Sequence, residues 1–455
     1  MSTMIVKVRA VEQILRHPNA DRLEVAVVGG WKTIIQKGQF KPSDKCVFFP
    51  PDSILPEVLA NGPEDTPAGR LNVAKYCGMV KDASGNLTGY RVKAARLRGQ
   101  PSYGLIMSID ASRGDQNWDL DTDVADIFGV TKWEPPLICE DGDAASGHRS
   151  FEKYTEIEHL SNFPTAIADG EEVVITEKIH GKNTRMGAVV MEDENGNPTW
   201  DYMAGSHDVP RKQLYSKTVR MDAVDLCGRQ YITKPKVEVG EIFQKEDKFF
   251  RVDELRYDDE SWWDKLLFWL HIRTPERRLF RATEVTQEGA EVLYTSEYWM
   301  FLKDGVMELI DHLRDEYVFT EDKKSVVVYG EIYGSGVQSM VYGFKNGQRG
   351  FRLFDIAING EYLDYDVKAE LCKKFGVEMV PFLYRGPFSR EVVEKFTDGK
   401  TTLCDPKDAG AFAGREGCVT TPVKERYSDV LNGRCIVKSV SADYLAAKDM
   451  SDNKN

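Results

Sequence analysis

From Ile5 to Ile109 the chain is cut into short apolar runs by glycine, proline, asparagine and aspartate. That punctuation leaves room for little besides short strands. Leu23-Glu24-Val25-Ala26-Val27-Val28 stops at Gly29-Gly30, and Lys32-Thr33-Ile34-Ile35 and Lys45-Cys46-Val47-Phe48-Phe49 follow. Closely spaced strands of this kind close into a small barrel or sandwich, so residues 1–110 are expected to form a β-barrel domain. Late in this region Arg91, Lys93, Arg96 and Arg98 read as one basic strand, with Arg91 and Lys93 on one face and Arg96 and Arg98 on the other. Such a run is either a solvated edge or a set of phosphate contacts.

Residues 111–150 turn acidic and polar: Asp115, Asp119, Asp121, Asp123, Asp126, Glu140, Asp141 and Asp143 fall here, around Pro135-Pro136. The stretch reads as a linker. Residues 151–455 alternate β-rich and helical runs, as an α+β domain does. Between about 214 and 292 the pattern lapses and charge crowds in, so this stretch reads as an insertion. Within it Ser261–Leu270 reads as a helix that is apolar around most of its circumference, either a core helix or a surface for a partner or membrane.

With 455 residues, 42% hydrophobic and 29% charged, the chain can bury two cores. No run approaches the roughly 20 apolar residues of a membrane span. The start, Met1-Ser2-Thr3-Met4-Ile5-Val6-Lys7, lacks an apolar signal core. The eight cysteines include no Cys-x-x-Cys pair. A reduced, cytoplasmic, zinc-free monomer is therefore expected. The net charge of −13 argues against a nucleic-acid coat protein, but not against an enzyme with a local basic stripe.

The chemistry concentrates in Glu171–Arg185. A strand delivers Lys178 to its end, and Gly181 follows where a side chain would obstruct a ligand. A lysine there can meet a phosphate, provided its ammonium, with an ordinary pKa of roughly 10.4, loses its proton. Taken alone, a lysine three residues before a glycine is common. In Val326–Gly334 a glutamate, Glu331, sits within an apolar strand, which is costly unless the carboxylate is partnered.

The run Glu177-Lys178-Ile179-His180-Gly181-x-Asn183 resembles the nucleotidyl-lysine motif of RNA ligases of the RNA ligase 2 type, relatives of DNA ligases and mRNA capping enzymes. Further runs resemble that family's motifs in the same order: Ala204-Gly205-Ser206-His207-Asp208 with Arg211, Tyr329-Gly330-Glu331, Phe351-Arg352-Leu353-Phe354-Asp355, Arg415-Glu416-Gly417 and Arg434–Ser439. The resemblance implies that Lys178 is the nucleophile, with Glu177, Ile179, His180, Gly181, Asn183 and Arg185 around the nucleotide. It implies that Ser206, His207 and Arg211 hold a phosphate or the 5′-phosphate strand. Glu331 would contact the nucleotide ribose or a metal-bound water, Glu416 would order the waters of a Mg²⁺ or Mn²⁺ ion, Phe351 would stack on adenine, and Lys438 would grip the α-phosphate. The family carries a second lysine where Ile436 stands; Arg434, on the same strand face by alternation, is a candidate substitute.

Two N-terminal runs, His17-Pro18-Asn19-Ala20-Asp21-Arg22-Leu23-Glu24-Val25 and Arg96-Leu97-Arg98-Gly99-Gln100, resemble the OB module that precedes the catalytic domain in the fifth family of RNA ligases. Too few residues follow Lys438 for the trailing OB domain of DNA ligases and capping enzymes. The implied architecture is α+β: an OB barrel followed by a nucleotidyltransferase domain of ATP-grasp-like antiparallel sheets with helices. The implied activity is ATP-dependent sealing of RNA 3′-hydroxyl and 5′-phosphate ends. A DNA ligase, a capping-type enzyme, or a decayed RNA-binding protein are the rival readings.

Overall fold

A computed structural model of the chain describes residues 5–61, 72–81, 86–109, 116–133, 142–192, 195–222, 239–257, 278–316 and 325–447. The first strands are β1 (Lys7–Ala10), β2 (Gln13–Arg16), β3 (Leu23–Val28), β4 (Trp31–Gln36), β5 (Lys45–Phe49) and β6 (Ser53–Leu55), followed by the one-turn helix α1 (Glu57–Ala60). Strands β7 (Gly78–Lys81), β8 (Leu87–Arg91), β9 (Ala95–Leu97), β10 (Gln100–Ser102), β11 (Leu105–Ser108) and β12 (Thr131–Lys132) complete the module. They pair as β1-β5-β11, β2-β3-β4, β12-β6-β8-β7 and the β9–β10 hairpin. Val8, Val47, Phe49, Leu55 and Met107 fill one core, and Ala26, Val28, Ile35 and Phe48 a second.

Two expectations change here. The acidic stretch is not a linker throughout: Val8 N–H donates to Thr122 O (2.9 Å), Val124 N–H donates to Val6 O (2.8 Å), and β12 pairs with β6. Val124 and Val130 enter the barrel core, because these apolar residues among the aspartates are what the barrel can bury. The basic run is not one strand either. Strand β8 ends at Arg91, whose guanidinium ion-pairs with Asp52 (2.6 Å) and lies 3.3 Å from the centre of the Trp133 ring. That leaves Arg91 a structural clamp rather than a phosphate contact. Arg96 is on β9, and Arg98 occupies the β9–β10 turn, where Arg98 (φ 50°) and Gly99 (φ 85°) are both left-handed. This is the two-residue turn whose twist suits a hairpin.

The second part holds two large sheets. One runs β13 (Glu158–His159), β31 (Val437–Val440), β28 (Gly417–Pro422), β14 (Glu172–Lys178), β27 (Phe382–Pro387), all antiparallel except the β13–β31 pair. The other runs β17 (Pro210–Arg211), β16 (Pro198–Ser206), β15 (Lys182–Glu192), β24 (Ser325–Gly334), β25 (Arg349–Ile358), β26 (Glu361–Tyr362). Helices α2 (Asp304–Glu316) and α3 (Tyr365–Phe375) cover the outer face of the second sheet, where Leu309, Ile310, Leu313 and Cys372 pack on Val326, Val328 and Ile332. Helix α4 (Arg390–Thr397), capped by Ser389, covers the first through Val393 against Val173 and Ile175. The inner faces look at each other.

Between β17 and β24 the chain forms a separate antiparallel unit. Its stem pairs β18 (Leu214–Ser216) with β23 (Leu293–Thr295), and β19 (Thr218–Asp222), β20 (Ile242–Lys245), β21 (Lys248–Tyr257) and β22 (Arg278–Val285) form a sheet in the order β19-β22-β21-β20. The helix expected over Ser261–Leu270 lies outside the described residues. Strands β29 (Tyr427–Ser428) and β30 (Gly433–Arg434) form a small hairpin before β31, and helix α5 (Ala442–Ala446) follows it.

Candidate active site

Strand alternation carries Thr176 and Lys178 of β14, Val419 and Thr421 of β28 and Lys438 of β31 onto the inner face, and all line one cavity of about 1180 Å³. In register, Thr176 faces Val419, and Val419 faces Lys438, so the two lysines share a face two strands apart. From the opposite sheet β24 contributes Glu331, and β15 places Asn183 directly beside it. Among the described residues the lining holds nine lysines and arginines against seven carboxylates, a local reversal of the chain's net charge. That suits an anionic ligand.

Lys178 Nζ ion-pairs with Glu416 Oε1, a carboxylate with 2% of its side chain exposed. Glu331 is buried too. Burial pushes its carboxyl up, the negative Glu416 adds to that, and Lys178 and the Gly181 backbone oppose it, leaving a pKa of about 8. Gly181 is required for a different reason than expected. Its φ is not left-handed; a Cβ there would sit 2.3 Å from Ile332 O and 2.8 Å from Glu331 Cγ, so the obstruction comes from β24 itself. His180 is buried, with Nε2 3.1 Å from Ser339 Oγ, Nδ1 2.8 Å from Tyr444 Oη, and its N–H donating to Tyr342 Oη (2.8 Å). Ile179 packs in the apolar cluster that includes Tyr342 and Tyr444, the two tyrosines bonded to His180.

Other expected residues are placed differently. Glu177 borders the cavity, but its carboxylate accepts from Thr401 Oγ1 (2.6 Å), Thr402 N (2.9 Å) and Thr402 Oγ1 (2.7 Å), pinning the end of β14. Arg185 is buried away from the cavity, donating to Ser206 O (3.1 Å) and Phe151 O (2.5 Å). Ser206 closes a turn with Val209, His207 Nε2 lies 3.1 Å from Tyr154 O, and Arg211 ion-pairs with Asp143 (2.5 Å); all three border the cavity.

Phe351 does not reach the cavity. A bulge between Tyr329 and Gly330 shifts the β24–β25 register, so Tyr329 faces Asp355 but Gly330 faces Leu353. The extra residue reverses the alternation. Phe351 and Leu353 point to the outer core, with Phe351 stacked on Phe301 (5.6 Å), while Phe354 and Asp355 turn inward. Arg434 does not replace the missing lysine. The strand is interrupted at Cys435-Ile436 between β30 and β31, and Arg434 ion-pairs with Asp355 (2.9 Å) and Glu425. Lys368 of α3 ion-pairs with the other Asp355 oxygen. Burial would raise the Asp355 carboxyl, but Arg434 and Lys368 outweigh it and hold the pKa at about 2. Ile436 is buried against Tyr154, Phe354 and Val419.

The donor set suits a divalent cation held partly by protein. Asn183 Oδ1, Ser296 Oγ and Arg349 Nε are buried without a hydrogen-bond partner among the described residues, all on the cavity. No group of three or more His, Cys, Asp or Glu that could ligate a metal occurs among the described residues. Glu331 and Glu416 alone would leave most coordination positions to water and phosphate oxygens, as Mg²⁺ sites commonly do.

Comparisons with known proteins agree with this architecture. The RNA ligase family model matches residues 171–440, and an OB-fold domain model matches residues 4–109. No curated protein matches. Among solved structures, a lysine-to-alanine variant of the Naegleria gruberi RNA ligase with ATP and Mn is similar with a TM-score of 0.58 at 20% identity, covering 97% of this chain and 98% of that one. The same ligase as a lysine-to-methionine variant with AMP and Mn gives 0.57 at 20% identity over 97% and 98%. With PPi it gives 0.56 at 21% identity over the same shares. At such identities the likeness speaks for the fold, and the family model, spanning more than half of the residues, speaks for descent: the chain belongs to the RNA ligase family.

Proposed function

We propose that the protein is an ATP-dependent RNA ligase that joins a 3′-hydroxyl to a 5′-phosphate through AMP carried on Lys178. The observation that carries this reading is Lys178 at the end of β14, ion-paired to buried Glu416, with Glu331 opposite and Lys438 on the same sheet face. Neutral Lys178 attacks the α-phosphorus of ATP, an N–P bond forms and pyrophosphate leaves. The AMP passes to the 5′-phosphate, and the 3′-hydroxyl then displaces it. Each step is a displacement at phosphorus, so positioning and charge neutralisation do most of the catalysis.

Lys438 is placed to hold the α-phosphate. Lys182 and Arg349, both ion-paired to Glu297 at 2.6 Å, border the cavity as further phosphate partners. Asn183 offers its partnerless oxygen, and Phe354, not Phe351, is the inward aromatic for the base. Mg²⁺ or Mn²⁺ held by Glu331 and Glu416 would supply positive charge that neutralises phosphate and favours the neutral amine. The Naegleria structures with ATP, AMP and Mn support these ligands. Exposed Lys93, Arg96 and Arg98 on the barrel, with Ser206, His207 and Arg211 at the cavity mouth, are the proposed RNA contacts.

No helix among the described residues is long and apolar enough to cross a membrane. The six described cysteines are free thiols, which fits a reducing compartment such as the cytoplasm. The test is to offer α-labelled ATP or GTP with Mg²⁺, then nicks bearing RNA or DNA at each side. Labelling by ATP and sealing that requires a ribose 3′ end are expected. Labelling by GTP alone would make this a capping-type enzyme, and indifference to the ribose a DNA ligase.

A further inference from the structure

Helix α5 has five residues, too few for stability of its own, so its position is set by what it docks on. Three elements hold it. The Ser441 hydroxyl donates to Asp398 (2.7 Å), and Ser441 N–H donates to Glu416 O (2.8 Å). From the N-terminal barrel, the hydroxyl of buried Tyr103 donates to Ala442 O. Arg96 adds a surface pair with Asp443 (3.7 Å), worth little by itself.

The barrel side of this joint is itself braced. His17 Nε2 lies 3.1 Å from Leu97 O, and Asn19 Nδ2 donates to Arg98 O (3.1 Å), so the His17-Pro18-Asn19 run holds the β9–β10 hairpin whose far end leads into Tyr103. On the catalytic side, α5 delivers Tyr444, fully buried, to His180 Nδ1 (2.8 Å). The same Nδ1 lies 3.8 Å from Glu416 Oε2, whose other oxygen meets Lys178. A continuous series of contacts thus joins the hairpin to the reacting lysine.

We propose that Tyr444 is a positioning residue for adenylation: by fixing the His180 ring it sets Glu416 against Lys178, and the N-terminal barrel, gripping α5 through Tyr103, sets Tyr444. The barrel then acts on the chemical step, from outside the cavity, as well as on RNA. This rests on the adenylation reading above.

The test is a double-mutant cycle in the full chain, with single-turnover labelling by α-labelled ATP and melting followed by circular dichroism. Tyr444→Phe keeps the ring and removes the hydroxyl; Tyr103→Phe removes the bond to Ala442 O. The expected result for Tyr444→Phe is a rate constant lower by between about tenfold and a hundredfold with KM for ATP unchanged. Tyr103→Phe should be slower too, and the double variant no slower than Tyr444→Phe, since both act through one series of contacts. Unchanged rates in Tyr444→Phe, equal changes in rate and KM, or additive losses would overturn the inference. If Tyr444→Phe does not fold, Tyr103→Phe carries the test, and a normal rate in it is equally contrary. Failure of the wild type to label with ATP would instead overturn the underlying reading.

Discussion

Two buried charge clusters border the same cavity, and they are built to opposite rules. Around Asp355, two cations and a tyrosine hydroxyl converge on one carboxylate, whose pKa falls to about 2. Around Lys178, two buried carboxylates converge on one lysine, and Glu331 rises to about 8. The first is saturated and serves the fold, tying α3, β25 and β30 together. The second lacks positive charge that a metal and a phosphate-bearing substrate would bring. Unbalanced buried charge is costly, and a chain retains it where a ligand completes it.

The largest expected effect is at Glu331. Glu331→Gln should lower adenylation by at least about a hundredfold, because the charge that answers the ligand is gone. The same variant should be the more stable protein. A carboxyl whose folded value lies near 8, against an ordinary 4.5, contributes its stability below the lower value and loses it as pH rises toward the higher one. The Tm difference between variant and wild type should therefore widen from about pH 5 to about pH 8. A constant difference would contradict the contrast between the clusters.

At Asp355 the sign reverses. Asp355→Asn strands Lys368 and leaves Arg434 only Glu425, and should cost about 3–5 kcal/mol in denaturant unfolding. The folded value near 2 lies below the ordinary 3.8, so wild-type stability from this group is complete above the latter and is lost as pH falls through the former. A variant as stable as wild type at pH 7 would remove the structural assignment. Ile436→Lys places an ammonium in an aromatic cluster and should destabilise by about 1–3 kcal/mol without speeding adenylation. Faster labelling would mean that the position still serves the phosphate. The smallest effects belong to the barrel surface: Lys93→Ala and Arg98→Ala should each reduce the salt slope of RNA binding by about one.

Much of this was legible in the residues themselves. Strand alternation and motif order bring Lys178, Glu331 and Lys438 to one cavity, with Glu416, just ahead of β28, paired to Lys178. Alternation misleads where regularity breaks: the bulge in β24–β25 exchanges Phe351 for Phe354, and the gap between β30 and β31 takes Arg434 off the expected face. Arg91 needed knowledge of Asp52 and Trp133, partners that only the tertiary fold supplies. Tyr444 carried no local signal at all; it sits beyond the last motif on a one-turn helix, and its importance lies in contacts with residues 264 positions away.

The central claim is that Lys178 carries the AMP. Its most direct test is peptide mapping by mass spectrometry of the full-length protein after incubation with ATP and Mg²⁺, without RNA. The expected result is a single AMP adduct on Lys178, absent in Lys178→Ala. An adduct on Lys182, Lys438 or any other residue, or one that persists in Lys178→Ala, would contradict it.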